Sequence, residues 1–418
     1  MATIEPLRAL VYDREKVGGL QRVLAPPYDV IDEAQRAELE ARSPYNVVRV
    51  DLPVGDDPYR EAARQLADWR RKGAIVLDSG PAVWALAQGY RGPDGHERTR
   101  VGFLARVRVE DYGAGRIRPH ERTHPGPKED RLRLTRATQA NLSPIFSLYS
   151  DATGAARQAL ATATAAEPWD QTTDDDGTVI RMWRIDDDTA ITTLQRALSD
   201  AELLIADGHH RYETARAYAE EIGGEGGHRF VLMCLVALED PGLTVFPTHR
   251  LLSGLRPDQH EALATAIRRD FEIRELRTTR ELAPDYGDRV RIGYIDSHFR
   301  RPFMLTLKDA AIARAALPEH AEPYRRLDTA VLEALILKGA LGMRDEDIDH
   351  LAGLGYARSF DEALGVIERA ESDAAFFMAP IPVEQVRAVA AAGESMPPKS
   401  TYFFPKVPTG LLFNPLSG

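Results

Sequence analysis

His209, His210 and Arg211 stand side by side in LLIADGHHRYETARAYAEE, just after an apolar run breaks at Asp207-Gly208. Gly208 allows the backbone to turn tightly. The spacing of Ala215, Tyr218, Ala219 and Ile222 predicts a helix that starts near Arg211 or Tyr212. The residues just before it then lie at a helix N-terminus, where backbone N–H groups and the helix dipole favour an anion. Two imidazoles and a guanidinium add donors to the same space, and arginine grips phosphate in bidentate fashion. The pattern predicts a phosphate site on Gly208, His209, His210 and Arg211. Two other readings stay open. Asp207 would act as a helix cap with the histidines on a surface loop, or Asp207, His209 and His210 would be metal ligands.

Four further segments carry residues fit for chemistry. In PHERTHPGPKEDRLRL, His120, Glu121, Arg122, Thr123, His124, Lys128, Asp130 and Arg131 crowd together among helix breakers. Glu121 suits a general base, with His120 or Lys128 tuning its charge; a solvated charged loop is the alternative. In FPTHRLL, Thr248, His249 and Arg250 follow an apolar run, at a strand end where ligands of α/β sheets collect. Arg250 is expected as a second anion contact, or else as half of a buried ion pair. MPPKSTYFFPKVPTGLL presents Lys399, Ser400 and Thr401, then Lys406 and Thr409. It is not a P-loop, because the glycines before Lys399 are missing and no helix follows. In APPYDVI, two prolines fix the backbone and leave Tyr28 and Asp29 on a turn. Asp29 would hold a substrate amine or Mg²⁺, or cap the turn. Lysine is scarce, seven residues against 46 arginines, yet Lys128, Lys399 and Lys406 all fall in these segments. A compact point charge is what lysine offers there.

The elements that must position these residues alternate between strand and helix. ALVYD, VLAPPYDVI, NVVRVDL, AVWALAQGY, RVGFLARVRVE, PIFSLYS, TVIRMWRI, FVLMCLVAL and AAFFMAPI read as strands or strand-like pieces. DEAQRAELEAR, capped by Asp32, and DPYREAARQLADWRRKGAI read as helices. Four regions are expected: an α/β domain over 1–150, a domain carrying the DGHHR turn over 151–253, an inserted α/β lobe over 254–310, and a helical region with a Pro-rich tail over 311–418. The fold class expected is α/β or α+β, with mixed sheets and flanking helices.

Composition narrows the function. A net charge of -11 argues against general affinity for nucleic acid. Cys234 is the one cysteine and lies in an apolar run too short to span a bilayer, so no disulfide, thiolate cluster or membrane span is expected. The N-terminal sequence lacks a signal-peptide pattern, and a cytoplasmic location follows as the expectation.

Together, APPYDVI, PHERT…PKEDRL, IADGHHRYETA, PTHR and MPPKSTYFFPK…GL resemble the prokaryotic family catalogued as domain of unknown function number one thousand and fifteen, in the same order and over essentially the full chain. The DGHHR turn is also similar to that of the ParB/sulfiredoxin superfamily, which includes CTP-binding partition proteins, sulfiredoxins and free-serine kinases. That resemblance implies a ParB/sulfiredoxin-like core with additional lobes. The phosphoryl donor, a nucleotide or pyrophosphate, would sit on His209, His210 and Arg211. The base would be Glu121, with His120 and His210 as catalytic partners. Sulfiredoxin chemistry needs a cysteine in the turn, and this turn has none.

The expected activity is transfer of a phosphoryl group to a hydroxyl, with free L-serine as the most specific acceptor and Mg²⁺ as a cofactor. Phosphate contacts are expected from Gly208, His209, His210, Arg211, Arg250, Lys399, Ser400 and Thr401. Substrate contacts are expected from Tyr28, Asp29, Thr123, Lys128, His249 and Lys406. Asp207 is the expected metal contact. A metal-dependent hydrolase and a ParB-like nucleotide switch on DNA are the rival readings.

Overall fold

The computed structural model describes residues 3–113, 117–120, 125–349, 353–397 and 399–417. The chain divides into two compact units. The first comprises Met1–Gly92, His96–Leu243 and Pro405–Gly418; the second comprises Pro93–Gly95 and Thr244–Phe404. The regions 1–150 and 151–253 contribute strands to one sheet of the first unit, and 254–310 lies inside the second.

The first unit is built on a mixed sheet. Its strands run in the order Ile117–Arg118, Leu203–Asp207, Ile145–Tyr149, Phe230–Ala237, Glu97–Arg108, Val83–Arg91, Val179–Ile185 and Asp170–Thr173, and Ile4–Glu5 also pairs with Glu97–Arg108. Two neighbour pairs are parallel: Leu203–Asp207 with Ile117–Arg118, and Phe230–Ala237 with Ile145–Tyr149. Every residue of Phe230–Ala237 is buried, as expected for a strand covered on both faces. Its residues Val231, Met233 and Leu235 pack with Phe103, Ile145, Ile205 and Tyr212.

The second unit has an antiparallel sheet in the order Phe271–Glu275, Phe303–Leu307, Arg291–Asp296, Ala374–Phe377, His249–Leu252 and Leu354–Ala357. Strand alternation splits its core in two. Leu252, Ala374 and Phe376 face one cluster, and Leu251, Ala375 and Phe377 face the other.

Three local readings need correction. NVVRVDL is a helical turn, Val48–Asp51, rather than a strand. Asn46 sets it up: its side-chain oxygen accepts from Val48 N at 3.0 Å and its amide donates to the carbonyls of Arg22 and Leu24. Val47, Val48 and Val50 are all fully buried, so tertiary packing overrides their β preference. The strand expected in VLAPPYDVI is replaced by an isolated bridge from Ala25 to Thr409 and a short 3₁₀ turn at Tyr28–Val30. The charged loop offered as the alternative for PHERTHPGPKEDRLRL is in part a helix. Pro125–Thr138 is a helix that buries Leu132 and Leu134 and packs along the His209–Ile222 helix.

Candidate active site

The Leu203–Asp207 strand ends at Gly208, whose φ of 96° lies in the left-handed region, and the 14-residue helix His209–Ile222 begins at once. The helix starts two residues earlier than its apolar spacing predicts, because Gly208 supplies the turn by itself. No side chain caps it. Asp207 has another task. One of its oxygens accepts from Arg211 Nη2 at 2.7 Å, and the other accepts from Lys406 Nζ. Burial pushes the Asp207 carboxyl up, and the Lys406 ammonium and Arg211 guanidinium together overcome this, holding it well below the usual carboxylate range. Arg211 Nη1 donates to the Pro144 carbonyl, and its Nε has no hydrogen-bond partner. The guanidinium folds back so closely that a Cβ on Gly208 would stand 2.9 Å from that Nε.

His209 packs against a histidine from another segment, His120. His120 is fully buried and its Nδ1 lies 2.5 Å from the Ile205 carbonyl. A carbonyl can only accept, so Nδ1 carries the proton. His120 N donates to His209 Nε2 at 3.3 Å, and the rings meet edge-on with centroids 4.7 Å apart. Burial, then the neighbouring His120, drives the His209 pKa well down, so His209 is a neutral imidazole with its proton on Nδ1. His210 is partly exposed on the first turn of the helix. Lys128, on the Pro125–Thr138 helix, pairs with Glu213 at 3.4 Å. Glu121 and Thr123 lie outside the described residues.

Other groups converge on the same region. Arg131 and Asp51 form a buried pair: Arg131 Nη1 donates to the Asp51 carbonyl at 2.6 Å and to its Oδ1 at 3.3 Å. The Arg131 guanidinium also stacks 4.3 Å from the centre of the Tyr28 ring. Burial pushes the Tyr28 hydroxyl up to about 12, against the pull of Arg211 and Arg131. The Asp51 carboxyl is raised by burial, and Arg131 and Arg211 oppose the shift. Asp29 is exposed beside them. Arg100, only 1% exposed, fixes the tail: it donates to the Pro405 carbonyl at 2.6 Å and lies 4.4 Å over the Phe146 ring. Gln88 Nε2 holds the next carbonyl, that of Lys406, at 3.0 Å. Sequence reasoning did not single out Arg100 or Asp51. Arg100 sits in a strand that also carries Arg98, Arg106 and Arg108, and Asp51 lies in a segment read as a strand.

The remaining candidates belong to the second unit. His249 and Arg250 open the His249–Leu252 strand, and both are buried. His249 Nδ1 accepts from Met378 N at 3.1 Å, and burial followed by the Arg250 charge lowers its pKa to about 4. Arg250 donates to the Thr248 carbonyl and stacks over Tyr356 at 5.1 Å. Asp328 lies close enough to feel the Arg250 charge, and burial raises its pKa to about 6. Its oxygens accept from Ala379 N at 2.7 Å and Thr329 N at 2.6 Å. Ser400 is buried, with its hydroxyl 3.3 Å from Thr329 Oγ1; Lys399 is exposed with a φ of 55°, and Thr401 is partly buried.

Metal ligation was tested on the same residues. Both Asp207 oxygens are already taken by cations, and His209 Nε2 by a backbone N–H. Among the described residues, no group of three His, Cys, Asp or Glu side chains is placed to hold a metal ion. As placed, Asp207 and His209 offer no uncommitted donor to a Mg²⁺.

The structure is a mixed α/β protein with a cluster of charged groups at a strand-to-helix turn. Residues 4–330 match the family described as "Protein of unknown function (DUF1015)", and the chain belongs to that family. No curated protein matches it by sequence. Among solved structures it is similar to a conserved hypothetical protein from Pyrococcus furiosus, at 15% identity and a TM-score of 0.35 over 70% of this chain and 90% of that one. A free serine kinase in complex with AMP is 14% identical, with a TM-score of 0.36 over 72% of this chain and 88% of that one. SbnI with a C-terminal truncation, from Staphylococcus aureus, is 13% identical, with a TM-score of 0.37 over 73% and 87%. No helix among the described residues is long and apolar enough to cross a membrane.

Proposed function

We propose that this protein is a small-molecule phosphotransferase that moves a phosphoryl group from a nucleotide or pyrophosphate to a hydroxyl, with free L-serine as the first acceptor to test. One observation carries the reading. A helix with no side-chain cap starts behind Gly208, and Asp207, at the end of the preceding strand, is paired with two cations, Arg211 and Lys406. Two cations and an uncapped helix N-terminus then lie together, an arrangement suited to a phosphate.

In the transfer, the acceptor oxygen forms a bond to the terminal phosphorus while the bond to the leaving phosphate breaks, and the hydroxyl proton passes to a base. Glu121 follows directly on His120, which is anchored against Ile205 and His209, and it is the base we propose. The test is mass-spectrometric detection of phosphoserine after incubation with L-serine and, separately, ATP, ADP or pyrophosphate. Turnover with one donor is expected, and Glu121→Gln should lower kcat by about 10²–10⁴-fold. No phosphoserine with any donor would overturn the reading.

A further inference from the structure

A small cavity of about 40 Å³ opens beside the turn, lined among others by Asp51, Arg131, Ser143, Arg211 and Val231. Two of its wall residues have an unspent polar atom. Asp51 Oδ2 has no hydrogen-bond partner, although the residue is only 4% exposed. Arg211 Nε–H has none either. The neighbours that would ordinarily satisfy them are committed elsewhere. Arg131 spends Nη1 on the Asp51 carbonyl and Oδ1, and Nε and Nη2 on Asp130. Arg211 spends its two other nitrogens on Pro144 and Asp207.

An orphaned buried carboxylate oxygen and an orphaned buried N–H each cost the fold on the order of 1–3 kcal/mol. A ligand recovers both costs only if it brings a donor for Asp51 and an acceptor for Arg211 to the same small space. The opposite charges of the two residues ask for opposite charges on the ligand. The volume admits only a few non-hydrogen atoms, since a single water already needs about 10–15 Å³ on the same measure. A nucleotide is excluded by size.

We propose that this cavity receives the head group of a small α-amino acid, its ammonium on Asp51 and a carboxylate oxygen on Arg211 Nε–H. The inference rests on the phosphotransferase reading only in making that amino acid the acceptor; as a binding site it stands separately. Neither orphaned atom is open to solvent as the site stands, so entry requires both the Asp51 carboxylate and the Arg211 guanidinium to turn toward the cavity.

The test is calorimetric titration of the full-length protein, with no phosphoryl donor present, using glycine, L-serine, ethanolamine and glycolate. Glycine and L-serine are expected to bind. Ethanolamine lacks the carboxylate and glycolate the ammonium, and each should bind at least about tenfold more weakly, the worth of one charged hydrogen bond. Asp51→Asn retains the backbone carbonyl that Arg131 grips and should weaken glycine binding by a similar factor. The ligand series on unaltered protein keeps the test decisive if that variant misfolds. No binding of either amino acid, or equal binding of all four compounds, overturns the proposal. Amino-acid binding without phosphoserine formation would leave this site standing and remove the kinase reading alone.

Discussion

Asp207 in the first unit and Asp328 in the second are both buried carboxylates near an arginine, yet their acidities move in opposite directions. At Asp207 two cations touch the oxygens directly. At Asp328 the oxygens are held by neutral backbone N–H groups, and Arg250 acts only through space. Burial penalises both charges. Only direct contact with two opposite charges overcomes it. The first arrangement holds a fixed anion between two committed cations. The second stores a proton near pH 6, as a structural buttress does.

The largest effect should come from breaking the first arrangement. Asp207→Asn removes the negative charge that Arg211 and Lys406 share in a largely buried corner, which should cost about 3–5 kcal/mol. All four tryptophans lie in the first unit, so denaturant unfolding followed by their fluorescence reads this loss. A change below about 1 kcal/mol would mean that the two cations find other partners, and the contrast with Asp328 would fall.

Next in size is Gly208→Ala. The new Cβ must adopt a φ of 96° and stand 2.9 Å from Arg211 Nε, so the arginine has to move. A loss of about 1–3 kcal/mol is expected, measured in the same way. Unchanged stability would show that Arg211 gives way freely.

The smallest effects sharpen the contrast through pH. The unfolded chain releases the Asp328 proton near 3.8 and the folded chain near 6, so this group lowers stability as pH rises between those values. His249 works the other way. It binds a proton near 6.5 when unfolded and near 4 when folded, so stability is lost as pH falls through that window. Asp328→Asn should therefore make stability climb more steeply with pH from 4 to 6, by at most about 1.4 kcal/mol per pH unit. His249→Gln should tilt the curve the opposite way. Amide exchange at Ala379 and its neighbours, in the second unit, is the readout. Parallel curves for both variants and the parent protein would sink the assignment.

Much of this architecture was legible in the sequence where one local rule decided. Gly208 after an apolar run announces a strand-to-helix turn, and Asp32 caps its helix through Gln35 N at 2.8 Å as read. The segment FVLMCLVAL announces a buried strand because nothing in it is polar. Reading failed where distant contacts decided. Val48 and Val50 favour a strand locally, but Asn46 and the surrounding core make them a turn of helix. The partner of Asp207 lies 199 residues away at Lys406, and that of Asp51 lies 80 residues away at Arg131. No spacing rule reaches that far. The histidines look like a matched set of donors in sequence. Only coordinates reveal that His209 spends its free nitrogen on the backbone of His120.

The return of the Pro405–Gly418 segment to the first unit also sets an order of events at the ribosome. Synthesis proceeds at about 5–20 residues per second, so some 10–40 s separate the emergence of Asp207 from that of its lysine 199 positions later. During that interval the nascent turn has Arg211 alone, and the whole second unit is translated before the charge arrangement can be completed.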